Sequence, residues 1–436
     1  MPEAEAKPYR LSLGGGLEPF RGEIEYVCDV LDAWYPMRRE ANAKTVLHYG
    51  PGGPGEAIRI PARLFPRAVD AGADGLRLDA SAYEAIARDL LPPARPEDAG
   101  APTYDAIGLI FLMLTRIEER CPHEPDRYGR FPFEASFAAR FGLGNAPLAD
   151  RAAEHLAAAI LGRRPPPRRT SFSVMLTHDV DRLRAYHRWH EPLRHAAGDL
   201  IRRGRPARAL SRLHDGYASG EPLRSMRDLM GLAERHGLVS RFYAMGPSDN
   251  AMDSPYAATM AGTLRQALHE IRDRGHIVGF HPGFGTANDP GRWMAQKSGL
   301  EAVLGDRVTE GRQHVLGYDA AATPDIWDDA GMALDATLAY PERTHFRAGT
   351  CRAFPSFSLR HRRKLALRQV CTSVMDFALL GHRYRSLTRN QAMDEALRAA
   401  EVCRRFDGTL VVLYHTGRPS HPGTAEFFDE FLAAVT

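Results

Sequence analysis

The densest run of chemistry-bearing side chains is Thr177-His178-Asp179-Val180-Asp181. It follows Phe172-Ser173-Val174-Met175-Leu176, a short apolar stretch that predicts a buried strand. Two residues apart on an extended strand end, Asp179 and Asp181 point to one face. Carboxylates so placed repel unless a proton or a cation is shared. A cation held by one, with the other left as a base, resolves the conflict; a helix N-cap beside a solvated acid is the plainer alternative. Later motifs favour the first. Gly275-His276-Ile277-Val278-Gly279-Phe280-His281-Pro282 brings His281 to the C-terminal end of a predicted strand, while His276, at the other end, is expected to cap or pack. Gly311-Arg312-Gln313-His314 offers a guanidinium able to grip a carboxylate through two nitrogens. Its His314 can complete a metal shell or hydrogen-bond a substrate. Thr409-Leu410-Val411-Val412-Leu413-Tyr414 is a continuous apolar strand ending in His415, placed to act as a general acid.

One rim must collect these groups, and the β-α rhythm supplies it. Predicted strands at 172–176, 239–245, 277–280 and 409–414 enclose helices at 225–237 and 264–274, each closed by glycine. Such alternation implies a parallel sheet, open or closed into a barrel, with ligands at the C-terminal strand ends. Before it, residues 1–162 form a smaller α+β domain. There 22–31 reads as a strand running into a helix, 45–49 and 57–61 as strands, 104–119 as a helix and 126–132 as an ordered loop. Arg127 and Arg130 of that loop are expected to pair with nearby acids. Residues 163–169, Arg-Arg-Pro-Pro-Pro-Arg-Arg, make an extended linker, and 170–436 form the second domain. In that domain Phe346-Arg347-Ala348-Gly349-Thr350-Cys351-Arg352, with Phe354 and Phe357 following, suits a wall for a sugar-sized ligand.

With 436 residues, 44% hydrophobic and 25% charged, the chain has a soluble, globular balance, long enough for two domains. A net charge of +3 does not suggest a nucleic-acid partner. Cys28, Cys121, Cys351, Cys371 and Cys403 are scattered and lack metal-binding or disulfide-framework spacing. The first residues are acidic without an apolar secretion core, and the longest apolar run, 106–114, is too short to span a bilayer, so a cytoplasmic location is expected. The exception in charge is 182–212, where nine arginines face only Glu191 and Asp199. A solvated helical pair is expected there; an anionic substrate or peripheral contact with a membrane is the alternative.

Taken in order, Thr-His-Asp-Val-Asp, Gly-His-x-x-Gly-x-His-Pro, Arg-Gln-His, Asp-Ala-Thr-Leu with Phe-Arg-Ala-Gly-Thr-Cys, and Leu-Tyr-His resemble the polysaccharide deacetylase (NodB homology, carbohydrate esterase family 4-like) family. The resemblance is to a cytoplasmic branch associated with surface polysaccharides, whose N-terminal domain has no known function. It implies a distorted (β/α)7-type barrel and a hydrolase for amide, not peptide, bonds. The expected reaction is metal-dependent removal of an acyl group, the acetyl group foremost, from an acylated amino sugar or surface-polysaccharide precursor, free, nucleotide-linked or lipid-linked. By resemblance, Asp179 is the catalytic base, Asp181 and His281 hold a divalent metal, zinc being expected, Arg312 orients the base, and His415 is the general acid. Where the family places a second histidine ligand, four residues after the first, this chain has Gly285, and His314 is the candidate replacement. His178 should point away from its aspartate neighbours. An amidohydrolase acting on a non-sugar amide, and a catalytically silent carbohydrate-binding protein, are the competing readings.

Overall fold

The computed structural model describes residues 6–93, 100–164, 166, 168–183, 190–202, 204–213, 223–381, 385–416 and 423–436. A four-stranded parallel sheet opens the chain, in the order β2-β1-β3-β4, from β1 (Lys7–Leu13), β2 (Met37–Arg39), β3 (Val46–Tyr49) and β4 (Ile58–Ile60). Residues 22–31, expected to begin as a strand, lie wholly within the helix Arg21–Trp34. Ile24, Val27, Cys28, Leu31 and Trp34 recur at helical spacing and are buried, so the 3.6-residue period prevails over the short alternation. The first strand is the earlier Lys7–Leu13, which the sequence reading missed.

The helix Ala106–Thr115 is buried on every side. Its start is fixed by Asp105, whose carboxylate accepts from the backbone of Gly108, Arg63 and Leu64 and from the Tyr49 hydroxyl. It stops short of the expected end because Arg116 turns left-handed (φ 54°). A two-stranded hairpin, β5 (Val69–Gly72) and β6 (Gly75–Leu78), completes this region.

The second sheet has nine strands: β7 (Ser173–Val180), β8 (Arg241–Ala244), β9 (Ile277–Phe280), β10 (Glu310–Gly311), β11 (Leu334–Asp335), β12 (Phe354–Ser358), β13 (Arg363–Gln369), β14 (Thr372–Met375) and β15 (Thr409–Leu413). Their order is β12-β13-β11-β10-β9-β8-β7-β15-β14, and every pairing is parallel except β12 with β13. Only Val370 and Cys371 separate β13 from β14, yet these strands lie toward opposite ends of the order. The same extended run therefore serves both ends, and the sheet is curled. The mixed α/β architecture is thus present, with its C-terminal strand ends gathered on one rim.

The segment expected to wall a sugar instead joins the two regions. Phe346, Arg347, Thr350, Cys351 and Arg352 are all buried. Arg347 forks onto Glu119 at 2.7 and 2.9 Å, and Asp150 accepts from the Thr350 hydroxyl and the Cys351 amide. Phe111 packs on Phe357, with ring centroids 5.4 Å apart. These contacts consume the polar and aromatic groups that would have faced a ligand.

Of the linker 163–169, Pro165 and Pro167 lie outside the described residues, as do parts of the arginine-rich 182–212. The described parts of the latter include the helices Glu191–Ala197 and Pro206–Leu213, with Leu193, Leu200, Ile201 and Leu210 exposed. Among the described residues no helix is long and apolar enough to cross a membrane.

Candidate metal centre

Strand register brings the predicted residues together. β7 pairs with β15 at Thr177–Leu413, and the pairing runs on past the strand ends, where the Thr416 amide donates to the Asp179 carbonyl at 3.0 Å. His415 therefore arrives beside Asp179. β9 meets β10 at Phe280–Gly311, which sets Arg312 next to His281. A Cβ on Gly311 would lie 1.9 Å from the Phe280 carbonyl oxygen, so only glycine permits this approach.

Arg312 is completely buried. One nitrogen donates to Asp179 Oδ1 at 2.7 Å; the other amino nitrogen donates to the hydroxyls of Thr177 and Thr372, and Nε to the Ala336 carbonyl. The expected two-nitrogen grip is thus a one-nitrogen grip. Three further acceptors lock the guanidinium, and through it the Asp179 carboxylate.

Asp181, His281 and His314 converge, with one ligand atom from each lying within 4.8 Å of the others. His281 Nε2 stands 3.4 Å from Asp181 Oδ1, and His314 Nε2 stands 3.9 Å from it. Asp181 Oδ1 and His281 Nε2 are buried and have no hydrogen-bond partner. Orphaned atoms of this kind are costly unless something fills the space between them. His281 Nδ1 sits 2.6 Å from the Arg312 carbonyl, which can only accept, so Nδ1 carries a proton and Nε2 is the nitrogen left to face the cluster. His314 is backed in the same way by Asp253, whose Oδ1 lies 2.7 Å from Nδ1. Backing of a histidine ligand by a carbonyl or carboxylate is the usual support of a metal site. Two imidazoles and one carboxylate suit a catalytic divalent ion such as zinc.

Burial opposes charge on Asp181, but the facing His281 and the nearby His415 and His314 outweigh it and hold the carboxyl well below the usual range. Burial likewise opposes protonation of His281, while Asp179 and Asp181 reverse the balance and raise it. His415 Nε2 lies 3.9 Å from Asp179 Oδ2, and its Nδ1 lies 2.7 Å from Asp376 Oδ1. Burial again works against the cation, but Asp376, then Asp181 and Asp179, lift His415 to about 9.

His178 stays out of the cluster. Its ring nitrogens meet the Tyr414 carbonyl at 2.7 Å and the Ser240 hydroxyl at 3.0 Å, and burial depresses it to about 3. His276 accepts from the Ser240 amide and faces Glu234, as a packing residue would. Gly285 holds φ +76°, a conformation that disfavours any side chain at the place of the missing histidine.

Two carboxylates were missed in the sequence. Asp376 follows directly on β14, so a carboxylate at a parallel strand end was a usable signal. Asp253 was not legible: it sits in a turn, 61 residues from the His314 it supports, and is itself held by the Ser248 hydroxyl and the Phe284 amide.

His314 is followed by two left-handed residues, Val315 (φ 51°) and Leu316 (φ 60°). A β-branched residue rarely tolerates this conformation. Arg130 holds it there, donating to the Val315 carbonyl at 2.8 Å while pairing with Asp126 at 2.6 Å. The expected Arg130 pairing is present, and Arg127 lies over the Tyr128 ring.

A family of unknown function, DUF7033, matches residues 55–165. No curated protein matches the chain. Among solved structures, one described as a polysaccharide deacetylase from Mycobacterium smegmatis is 19% identical, with 61% of this chain and 84% of that one covered and a TM-score of 0.39. A family 4 carbohydrate esterase from Streptomyces lividans, in complex with acetate, is 10% identical over 61% and 89% of the two chains, with a TM-score of 0.30. A family 4 carbohydrate esterase pseudoenzyme from Bacillus anthracis is 12% identical over 63% and 66%, with a TM-score of 0.31. At such scores no function transfers, and the site's own atoms must carry it.

Proposed function

We propose that this protein is a metal-dependent hydrolase that removes an acyl group, acetyl foremost, from an acylated amino sugar or surface-polysaccharide precursor, on a distorted (β/α)7-type barrel. The observation that carries this reading is a pair of buried atoms without a well-formed hydrogen bond, Asp181 Oδ1 and His281 Nε2, facing each other and His314 Nε2 beside an arginine-held carboxylate. Asp181, His281 and His314 would hold the divalent ion, zinc by its donor set. When bound, that ion supplies Lewis acidity toward the acyl carbonyl and lowers the pKa of water.

The remaining work falls to the chain. Asp179, fixed by Arg312 through Oδ1, keeps Oδ2 turned toward His281 and His415 and is the group placed to take a proton from the attacking water. His415, with Asp376 behind Nδ1 favouring its protonated form, is the group placed to give a leaving amine or alcohol the proton it needs. Asp376 thereby plays the orienting part for the acid that Arg312 plays for the base.

The test is acyl release from N-acetylated and O-acetylated sugars by zinc-loaded protein. Asp179→Asn should abolish turnover while the metal stays bound. Turnover equal to wild type in Asp179→Asn would overturn the assignment of the base. Hydrolysis confined to non-sugar amides would move the substrate class.

A further inference from the structure

A cavity of about 530 Å³ adjoins the centre, and His314 lines it. Pockets for small ligands span about 300–1,000 Å³. One wall is the loop that carries His314. The facing wall comes from Arg77, Arg120, His123 and Tyr128, all within the 55–165 region of unknown function. Arg130 ties the two walls together through the Val315 carbonyl. The same region thus supports the ligand loop and faces the space beside it.

The charge on that wall is distinctive. Arg120 is half-buried and donates to the Leu76 carbonyl, but among the described residues no carboxylate lies within ion-pair distance of it. Of the acids at the cavity, Glu119 is taken by Arg116 and Arg347, while Asp319, which accepts from the Ala321 amide, acts on Arg120 only from beyond ion-pair distance. Arg77, in an exposed pair with Asp74, adds a like charge near Arg120. Burial first, and Arg77 second, lower the Arg120 pKa, outweighing the opposing pull of Asp319 and Asp74. A half-buried guanidinium in this state gains most from an anion arriving by way of the open cavity. The Tyr128 and Phe284 rings, 6.5 Å apart, give the cavity apolar surface as well.

We infer that the 55–165 region forms the outer subsite of the substrate pocket, with Arg120 and Arg77 receiving an anionic group, a carboxylate or a phosphate, carried by the sugar substrate. The inference rests on the hydrolase reading for the identity of the substrate, though the anion site itself does not.

The test is calorimetric titration of zinc-loaded, full-length protein with inorganic phosphate, glucuronate, uridine diphosphate and, as neutral control, N-acetylglucosamine. Wild type should bind at least one of the anions. Arg120→Gln should weaken it about tenfold or more, the worth of a charged hydrogen bond. Arg77→Gln, at an exposed site, should weaken it by a smaller factor. Glucuronate binding without phosphate or uridine diphosphate binding identifies a carboxylate; the reverse identifies a phosphate. No anion binding by wild type, or binding equal to wild type in both arginine variants, would overturn the inference. Intact anion binding in a protein that hydrolyses no acylated sugar would sink the hydrolase reading and leave the anion site standing.

Discussion

The Arg312–Asp179 pair joins β10 to β7 across the site, and its removal should be felt in stability as well as in catalysis. Arg312 has no exposed surface, Asp179 is 3% exposed, and the bridging distance is 2.7 Å. At an effective dielectric constant of ~20, unit charges at that distance attract by about 6 kcal/mol. Desolvation consumes much of this, so the intact pair adds little net stability, whereas one charge left alone costs about 3–5 kcal/mol. Arg312→Met in metal-free protein should therefore lower unfolding free energy by about 3–5 kcal/mol, and Asp179→Asn by a comparable amount. In the double variant neither charge remains, and only the hydroxyls of Thr177 and Thr372 and the Ala336 carbonyl lose partners. Its loss should fall short of the sum by at least about 2 kcal/mol. Denaturant titrations of the four proteins close the cycle. Additivity to within about 0.5 kcal/mol would refute the claim that this ion pair is a coupled, buried unit.

Other consequences can be measured separately. Asp253→Ala removes the carboxylate behind His314 Nδ1 and should weaken zinc binding about 10- to 100-fold in chelator competition; unchanged affinity would exclude His314 as a supported ligand. Gly285→His should not supply a ligand: at φ +76° it should cost about 1–2 kcal/mol in a denaturant titration and leave metal stoichiometry unchanged. His178 and His345 are held neutral by burial, at about 3 and about 4 against 6.5 when unfolded, so their stabilisation is complete above about 6.5 and is lost as pH falls toward those values. At pH 5 each should cost about 2 kcal/mol relative to neutral pH. His178→Gln should therefore lose about 2 kcal/mol less than wild type between pH 7.5 and pH 5, and an identical loss would remove His178 from the account.

Much of the site was legible because parallel strands deliver their last side chains to one rim. Asp179, Asp181, His281 and His415 each follow an apolar run in the sequence, and the resemblance supplied Arg312 and, through Gly285, the need for His314. What was hidden depended on distant partners. Asp253 supports His314 from a turn with no periodic pattern around it. Val315 and Leu316 occupy left-handed conformations that no propensity predicts, because Arg130, 185 residues away, helps to hold them. The 346–352 segment has the composition of a ligand wall, but Glu119 and Asp150 claim its polar groups, a pairing invisible before the two regions are set together. In 22–31 a brief alternation suggested a strand, and burial at helical spacing decided otherwise.

The central claim is that Asp181, His281 and His314 hold one divalent ion beside Asp179. Elemental analysis of the purified, zinc-loaded protein tests it most directly, on wild type, His281→Ala, His314→Ala and Asp179→Asn. One ion per chain should be found in wild type and in Asp179→Asn, and should be lost from both histidine variants. No ion in wild type under any loading condition, or full occupancy in His281→Ala and His314→Ala, would contradict the claim.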